Sequence, residues 1–280
     1  MLIPRHWVRA TAERADPASA QIHRTTAYGY SDVSAAEAQR DALARAGRVL
    51  DWLVSDGALK APDAYGYGDE RPLREQIVRE FVHGGAPAAI VTRNAYGALV
   101  LNAAHVMFID VDEAAPTALG GFVGRLFGRA RRDPLATLKA ALAETPGVGA
   151  RIYRTAAGWR ALVTSQLVEP RADATDELMV RCGADPRYRA LCRVQQCFRA
   201  RLTPKPWRCG VEAPTLRYPF ADAGAEAKFA AWLQGYERAS GAYAVCEFVE
   251  ALGAAAFDPV AAAVLREHDA ATLRPGKKLA

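Results

Sequence analysis

The chain is 280 residues long, 51% hydrophobic and 24% charged. That is an ordinary globular composition, and it excludes collagen-like, coiled-coil and wholly disordered classes. Lys and Arg total 36 against 31 Asp and Glu, a net charge of +5, which allows an anionic partner without demanding one. No apolar run reaches the roughly 20 residues of a membrane helix; the longest, around 98–111, is broken by Asn102 and His105. Charges and Pro4 interrupt the N-terminus, so no secretory apolar segment is expected there. The five cysteines (Cys182, Cys192, Cys197, Cys209 and Cys246) contain no CxxC pair and no zinc-ribbon spacing. The expectation is a cytoplasmic protein without a membrane partner, its thiols reduced and used as small apolar side chains.

In chain order, residues 1–87 predict a mostly helical N-terminal region. Ser34-Ala-Ala-Glu37 has the form of a capping box. The helix it opens runs to about Leu53 with Ala42, Ala46, Val49, Leu50 and Leu53 on one face, and Gly57 and Pro62 close it. After a glycine–aromatic loop at Tyr65–Gly68, a second helix is predicted from Pro72 through Leu73, Ile77, Val78 and Phe81 to Gly84-Gly85.

Residues 88–217 predict an α+β core with an antiparallel sheet. Two apolar runs, Ala88–Thr92 and Ala98–Asn102, flank a turn at Arg93–Gly97. His105–Asp112 reads as a buried strand ending in two acids. Pro134–Thr145 reads as a helix capped by Asp133. A hairpin over Arg151–Thr155 and Trp159–Ser165, helices over Thr175–Gly183 and Pro186–Gln196, and an alternating strand over Cys197–Thr203 complete the core. From 105 to 203 the order is β-α-β-β-α-β, the ferredoxin-like or RRM-like split βαββαβ arrangement. Residues 218–280 predict a helical C-terminal region: a helix near Ala225–Tyr236, a helical or mixed stretch near Tyr243–Leu252, and a helix from Pro259 to about His268.

Two features carry chemistry. Asp110 and Asp112, one residue apart on a strand, share a face about 7 Å apart along the chain. Like charges so placed raise each other's pKa, and a hard divalent ion such as Mg²⁺ or Mn²⁺ removes that cost. The second feature is charge density. Residues 151–217 hold 13 Lys and Arg against 6 acids, and phosphate is the natural counterpart of such a surface. Within it, Thr155 and Gly158 delimit a turn flanked by Arg154 and Arg160, a candidate anion cradle. Arg199, Arg201 and Lys205 follow on the last strand, with Tyr153, Trp159 and Trp207 as candidate stacking surfaces. The alternatives are a solvated strand end and a salt-bridged arginine surface.

In sequence, Phe108-Ile-Asp-Val-Asp112, Arg154-Thr-Ala-Ala-Gly158-Trp-Arg160 and Phe198-Arg-Ala-Arg-Leu-Thr-Pro-Lys205 resemble the archaeo-eukaryotic primase (primase-polymerase) superfamily over about 100 residues. Arg160 stands where that family has His, and the last strand carries Arg199 and Arg201 with no third Asp. The chain as a whole also resembles a bacterial family that shares the stretch Cys197–Arg208. The primase resemblance implies divalent-metal-dependent nucleotide or nucleic-acid binding, with primase-like nucleotidyl transfer as the activity. Asp110 and Asp112 would be metal ligands and, with Arg160, the catalytic set; Arg154, Thr155, Gly158, Arg199, Arg201 and Lys205 would be the phosphate contacts. The alternative function is a non-catalytic module that binds nucleic acid, with Tyr153 and Trp159 as stacking platforms, or that binds another protein.

Overall fold

The computed structural model describes residues 1–55, 72–113, 133–254 and 256–280. It is a mixed α+β structure whose two larger sheets are antiparallel and four-stranded.

The N-terminal region is not mostly helical. It opens with a hairpin of β1 (His6–Ala15) and β2 (Ile22–Ser31), paired over their full length. Val8, Thr11, Thr26, Tyr28 and Tyr30 favour strand here, and nearly all of the hairpin's side chains are partly or fully exposed, so no apolar period announces it. Helix α1 (Ala35–Leu53) follows and packs on the hairpin through Ala38, Ala42, Ala46 and Leu50. Gly29 makes this possible, because a Cβ there would overlap the backbone of Ala38 and Ala42. The Ser34 hydroxyl accepts from the Glu37 N–H at 3.2 Å, as a capping box requires. Glu37 does not reach back to Ser34, however; it accepts from the Ser31 hydroxyl at 2.7 Å. The closing residues Gly57 and Pro62 and the Tyr65–Gly68 loop lie outside the described residues.

The helix expected from Pro72 is strand β3 (Gln76–His83). Ile77 and Phe81 fit a period of four as well as a period of two, so the pattern alone was ambiguous. Gly84 and Gly85, read as a helix stop, both have positive φ (59° and 81°) and form the two-residue turn into β4 (Ala86–Arg93). The β4–β5 hairpin, with β5 at Leu99–Ala103, is as expected. The boundary placed at 87 therefore falls inside β4.

The next stretch follows the expected order: β6 (Phe108–Asp112), α2 (Pro134–Ala143, capped by Asp133), β7 (Gly149–Thr155), β8 (Gly158–Val163), α3 (Asp173–Arg181), α4 (Pro186–Gln195) and β9 (Phe198–Arg201). β8 lies between β6 and β7, as a split βαβ unit requires. The fourth strand departs from it. β9 pairs with β5, from Ala103↔Phe198 to Val100↔Arg201, giving the sheet β3-β4-β5-β9.

Helix α4 explains this. The Tyr188 hydroxyl donates to the Phe108 carbonyl at 3.0 Å and accepts from the Arg199 N–H at 3.3 Å. One residue pair further on, the Asp185 N–H donates to the Asp110 carbonyl at 3.1 Å. The outer edge of β6 is thus satisfied by α4 and its N-cap, and β9 comes close to β6 without a ladder between them.

The C-terminal region is only partly helical. α5 (Ala223–Ser240) and α6 (Pro259–Thr272) are as expected, but Cys246–Gly253 is strand β11, which adds to β7 and gives the sheet β11-β7-β8-β6. β10 (Tyr243–Ala244) and β12 (Lys278–Leu279) form a short parallel pair. One core cluster joins both large sheets and the helices, including Leu101, Phe108, Ile109, Leu138, Ile152, Leu162, Leu178, Phe198 and Val264. All five cysteines are free and buried. Among the described residues no helix is long and apolar enough to cross a membrane.

Candidate functional site

Asp110 and Asp112 share a face of β6, as their spacing requires, and Asp110 lies directly across from Arg160 on β8. The pair is bidentate: Arg160 Nε to Asp110 Oδ1 at 2.7 Å and Nη2 to Oδ2 at 3.0 Å. Arg160 is 2% exposed and Asp110 30%. Burial by itself disfavours the guanidinium's charge, but Asp110, together with Cys246 and Tyr188, outweighs it and holds the pKa of Arg160 above its ordinary value. Nη1 of Arg160 makes three further contacts: the Arg201 carbonyl at 3.2 Å, His268 Nε2 at 3.4 Å and Cys246 Sγ at 3.7 Å. An Arg N–H can only donate, so His268 Nε2 accepts, and its Nδ1–H faces Asp269 Oδ1 at 2.9 Å. Asp269 also accepts from Tyr153 at 2.7 Å and from Arg151 at 3.2 Å. A continuous buried polar chain therefore runs from α6 through Arg160 to Asp110. Nothing in the sequence of α6 announced that His268 and Asp269 belong to it.

Most of the expected phosphate contacts have structural partners. Arg154 is bidentate to Glu113 at 2.5 and 2.8 Å, and Trp159 Nε1 donates to the same carboxylate at 3.0 Å. The Thr155 hydroxyl accepts from the Ala157 N–H at 3.4 Å, and the Ala157 carbonyl accepts from the Glu113 N–H at 2.9 Å. Gly158 is buried against β6, where a Cβ would overlap the Val111 carbonyl. The Thr155–Gly158 turn is closed by its own groups and packs against β6. Arg199 Nη2 reaches both oxygens of the buried Glu75 at 2.7 Å, and Glu75 in turn accepts from Thr92 at 2.5 Å. Tyr153, expected as a stacking platform, is fully buried. Trp159 lies partly buried under the Arg154 guanidinium, 4.7 Å from its ring centroid.

Three cations differ from these. Arg201 at the end of β9, Lys205, and Arg208 in the short 3₁₀ turn Pro206–Arg208 make no ion pair with any described residue. They are close enough to repel one another. Burial lowers the pKa of Lys205, and Arg201 and Arg208 lower it further. Burial, then Arg160, lowers that of Arg201, with Arg208 adding to the effect. Facing them is Asp112. Partial burial raises its pKa, Asp110 and Asp185 raise it more, and Lys205 and Arg201 oppose the rise. Of the expected phosphate contacts, Arg201 and Lys205 are left without an ion pair near the end of β6; Arg208, one of the 13 basic residues of the 151–217 stretch, stands with them.

Both Asp110 oxygens are held by Arg160, Asp112 faces cations, and among the described residues no group of three or more His, Cys, Asp or Glu side chains could hold a metal ion. Comparison of the chain with protein-family models, curated proteins and solved structures returns no match.

Proposed function

We propose that the end of β6 and the segment following β9 bind the phosphate groups of a nucleotide or a nucleic acid. The observation that carries this is the meeting of Arg201, Lys205 and Arg208 with Asp112 nearby but with no ion pair among the described residues, in a chain whose other candidate arginines (Arg151, Arg154, Arg160 and Arg199) each hold a carboxylate. Like charges gathered in a partly buried place cost folding free energy, and an anion offsets that cost. Supporting the finer fold reading, β6, β8 and β7 keep the ferredoxin-like order and β9 stands beside β6 behind the Tyr188 hydroxyl. In such a core the exposed end of the first strand lies next to the last.

In this reading Asp110 serves as the counter-ion of Arg160, and Arg160 joins β6, β9 and α6. Neither touches the ligand in this proposal. Asp112 is the one of Asp110, Asp112 and Glu113 not held by an arginine. The metal expectation carries forward in one form only, with Mg²⁺ or Mn²⁺ shared between Asp112 and phosphate oxygens of the ligand, the usual way Mg²⁺ is held at phosphate sites. Primase-like transfer would depend on that carboxylate.

Calorimetric titration of the full chain with a nucleoside triphosphate, with and without Mn²⁺, tests this. Nucleotide binding should weaken in Lys205→Gln. Mn²⁺ should strengthen it in the wild type and not in Asp112→Asn, and Mn²⁺ alone should give no carboxylate-dependent heat. Absence of binding to the nucleoside triphosphate and to a polynucleotide in every condition would remove the proposal.

A further inference from the structure

Beside the three cations stand two exposed aromatic rings. Trp207 is 50% exposed and Tyr96 44%. Their ring centroids are 5.2 Å apart at 87°, an edge-on contact, and Lys205 Nζ lies 5.5 Å from the Trp207 ring centroid. An edge-on pair spends the edge of one ring and leaves flat π surface open to solvent. Both rings are held by their backbones. Tyr96 sits in the β4–β5 turn, where Asn94 Oδ1 accepts from the N–H groups of Tyr96 and Ala98 at 3.0 and 3.1 Å. Gly97 in that turn has φ 81° and lies against Trp232. Trp207 is presented by the 3₁₀ turn between the buried Pro204 and Pro206 and the 2.9 Å hydrogen bond from the Arg208 N–H to the Lys205 carbonyl. Two large rings about half exposed to water, beside these cations, contribute little to the core.

We infer that this patch binds single-stranded nucleic acid, with a base stacked on Trp207 and Tyr96 and the adjoining phosphates on Lys205, Arg208 and Arg201. The inference rests on the phosphate site proposed above and specifies its ligand. A stacking surface beside a cationic groove is how strands are held without sequence preference. A duplex keeps its base faces stacked within itself and cannot offer one to the rings. An acidic protein surface could answer the cations, but it gives the exposed rings no repeated flat partner.

The test is anisotropy of the full chain with a labelled thymidine strand of about 20 nucleotides, long enough for one site, compared with an abasic strand of equal length and charge and with a duplex. The thymidine strand should bind at least about fivefold more tightly than the abasic one, the lower end of what one base–aromatic stack supplies. Trp207→Ala should bring it to the abasic level, Trp207→Phe should restore most of the difference, and Tyr96→Ala should fall between. Because Trp207→Ala removes no phosphate contact, the salt dependence of binding should keep its slope. Equal binding of thymidine and abasic strands, preference for the duplex, or no effect of Trp207→Ala would overturn the stacking inference while leaving the phosphate site standing. Failure of both strands and of inorganic polyphosphate to bind would remove the phosphate site as well.

Discussion

Replacing Arg160 by Met tests whether the acids on β6 serve the fold or a metal. Met keeps an unbranched apolar stem and removes the guanidinium. Asp110 then loses both donors, at 2.7 and 3.0 Å, and the Arg201 carbonyl loses a third at 3.2 Å. In a bidentate pair the charge centres are about 4 Å apart, which corresponds to about 4 kcal/mol of attraction at an effective dielectric constant near 20. Breaking a buried pair by removing one partner costs about 3–5 kcal/mol. Asp110 keeps some solvent contact, at 30% exposure, which places the expected loss near the lower end. With a urea m-value near 3 kcal/mol/M for a chain of this size, the denaturation midpoint falls by about 1 M. Asp110→Asn should also destabilise, and the double variant should lose less than the sum of the singles by about 1–3 kcal/mol. Additivity within about 0.5 kcal/mol would refute the pairing and return Asp110 to the list of free carboxylates.

Other consequences follow from the same geometry. Arg199→Met should leave the buried Glu75 without its cation and cost about 3–5 kcal/mol in urea denaturation, with nucleotide affinity unchanged; a loss of affinity at unchanged stability would restore Arg199 as a phosphate contact. Gly158→Ala should destabilise by about 1–3 kcal/mol, because the new Cβ meets the Val111 carbonyl and the backbone of Asp112; unaltered melting would show that β6 and β8 can separate there. Burial first, and then Arg160, lowers the pKa of His268 below its ordinary 6.5, with Asp269 opposing. The unfolded chain therefore takes up a proton near pH 6.5 that the folded chain refuses. Stability is fully present above that pH and falls below it, by up to about 1.4 kcal/mol per pH unit until the folded-state pKa is passed. His268→Gln should flatten the urea midpoint across that range; an unchanged slope would mean that His268 protonates freely in the fold.

How much of this was legible in the sequence depends on the source of each signal. Helices with a cap and a closing Pro or Gly were readable, as at Ser34, Asp133 and Pro259, because those residues act within one turn of themselves. The split order of β6, α2, β7 and β8 was readable for the same reason. The β1–β2 hairpin was not, since its exposed faces carry no apolar period, and β3 was misread because Ile77 and Phe81 fit two periods. The pairing of β9 with β5 goes with long-range contacts of α4, the Tyr188 hydroxyl between β6 and β9 and the Asp185 N–H on the β6 edge, which no local pattern reports. At the candidate site, Asp110, Asp112, Arg160, Arg201 and Lys205 were singled out by type and spacing. Their division into a buried ion pair and an open cationic patch depends on α6, about 100 residues downstream of Arg160, and on Glu113 and Glu75 claiming Arg154 and Arg199. Sequence spacing reports which charges share a strand face; only the packed fold reports which of them are already answered.

The most direct measurement is the salt dependence of binding to a single-stranded polynucleotide for the wild type, Lys205→Gln and Arg208→Gln. If these side chains neutralise phosphates, each substitution removes one contact, and the slope of log K against log salt becomes shallower by about 0.7. Unchanged slopes, or no binding by the wild type at low salt, would contradict the assignment of this cationic patch to phosphate.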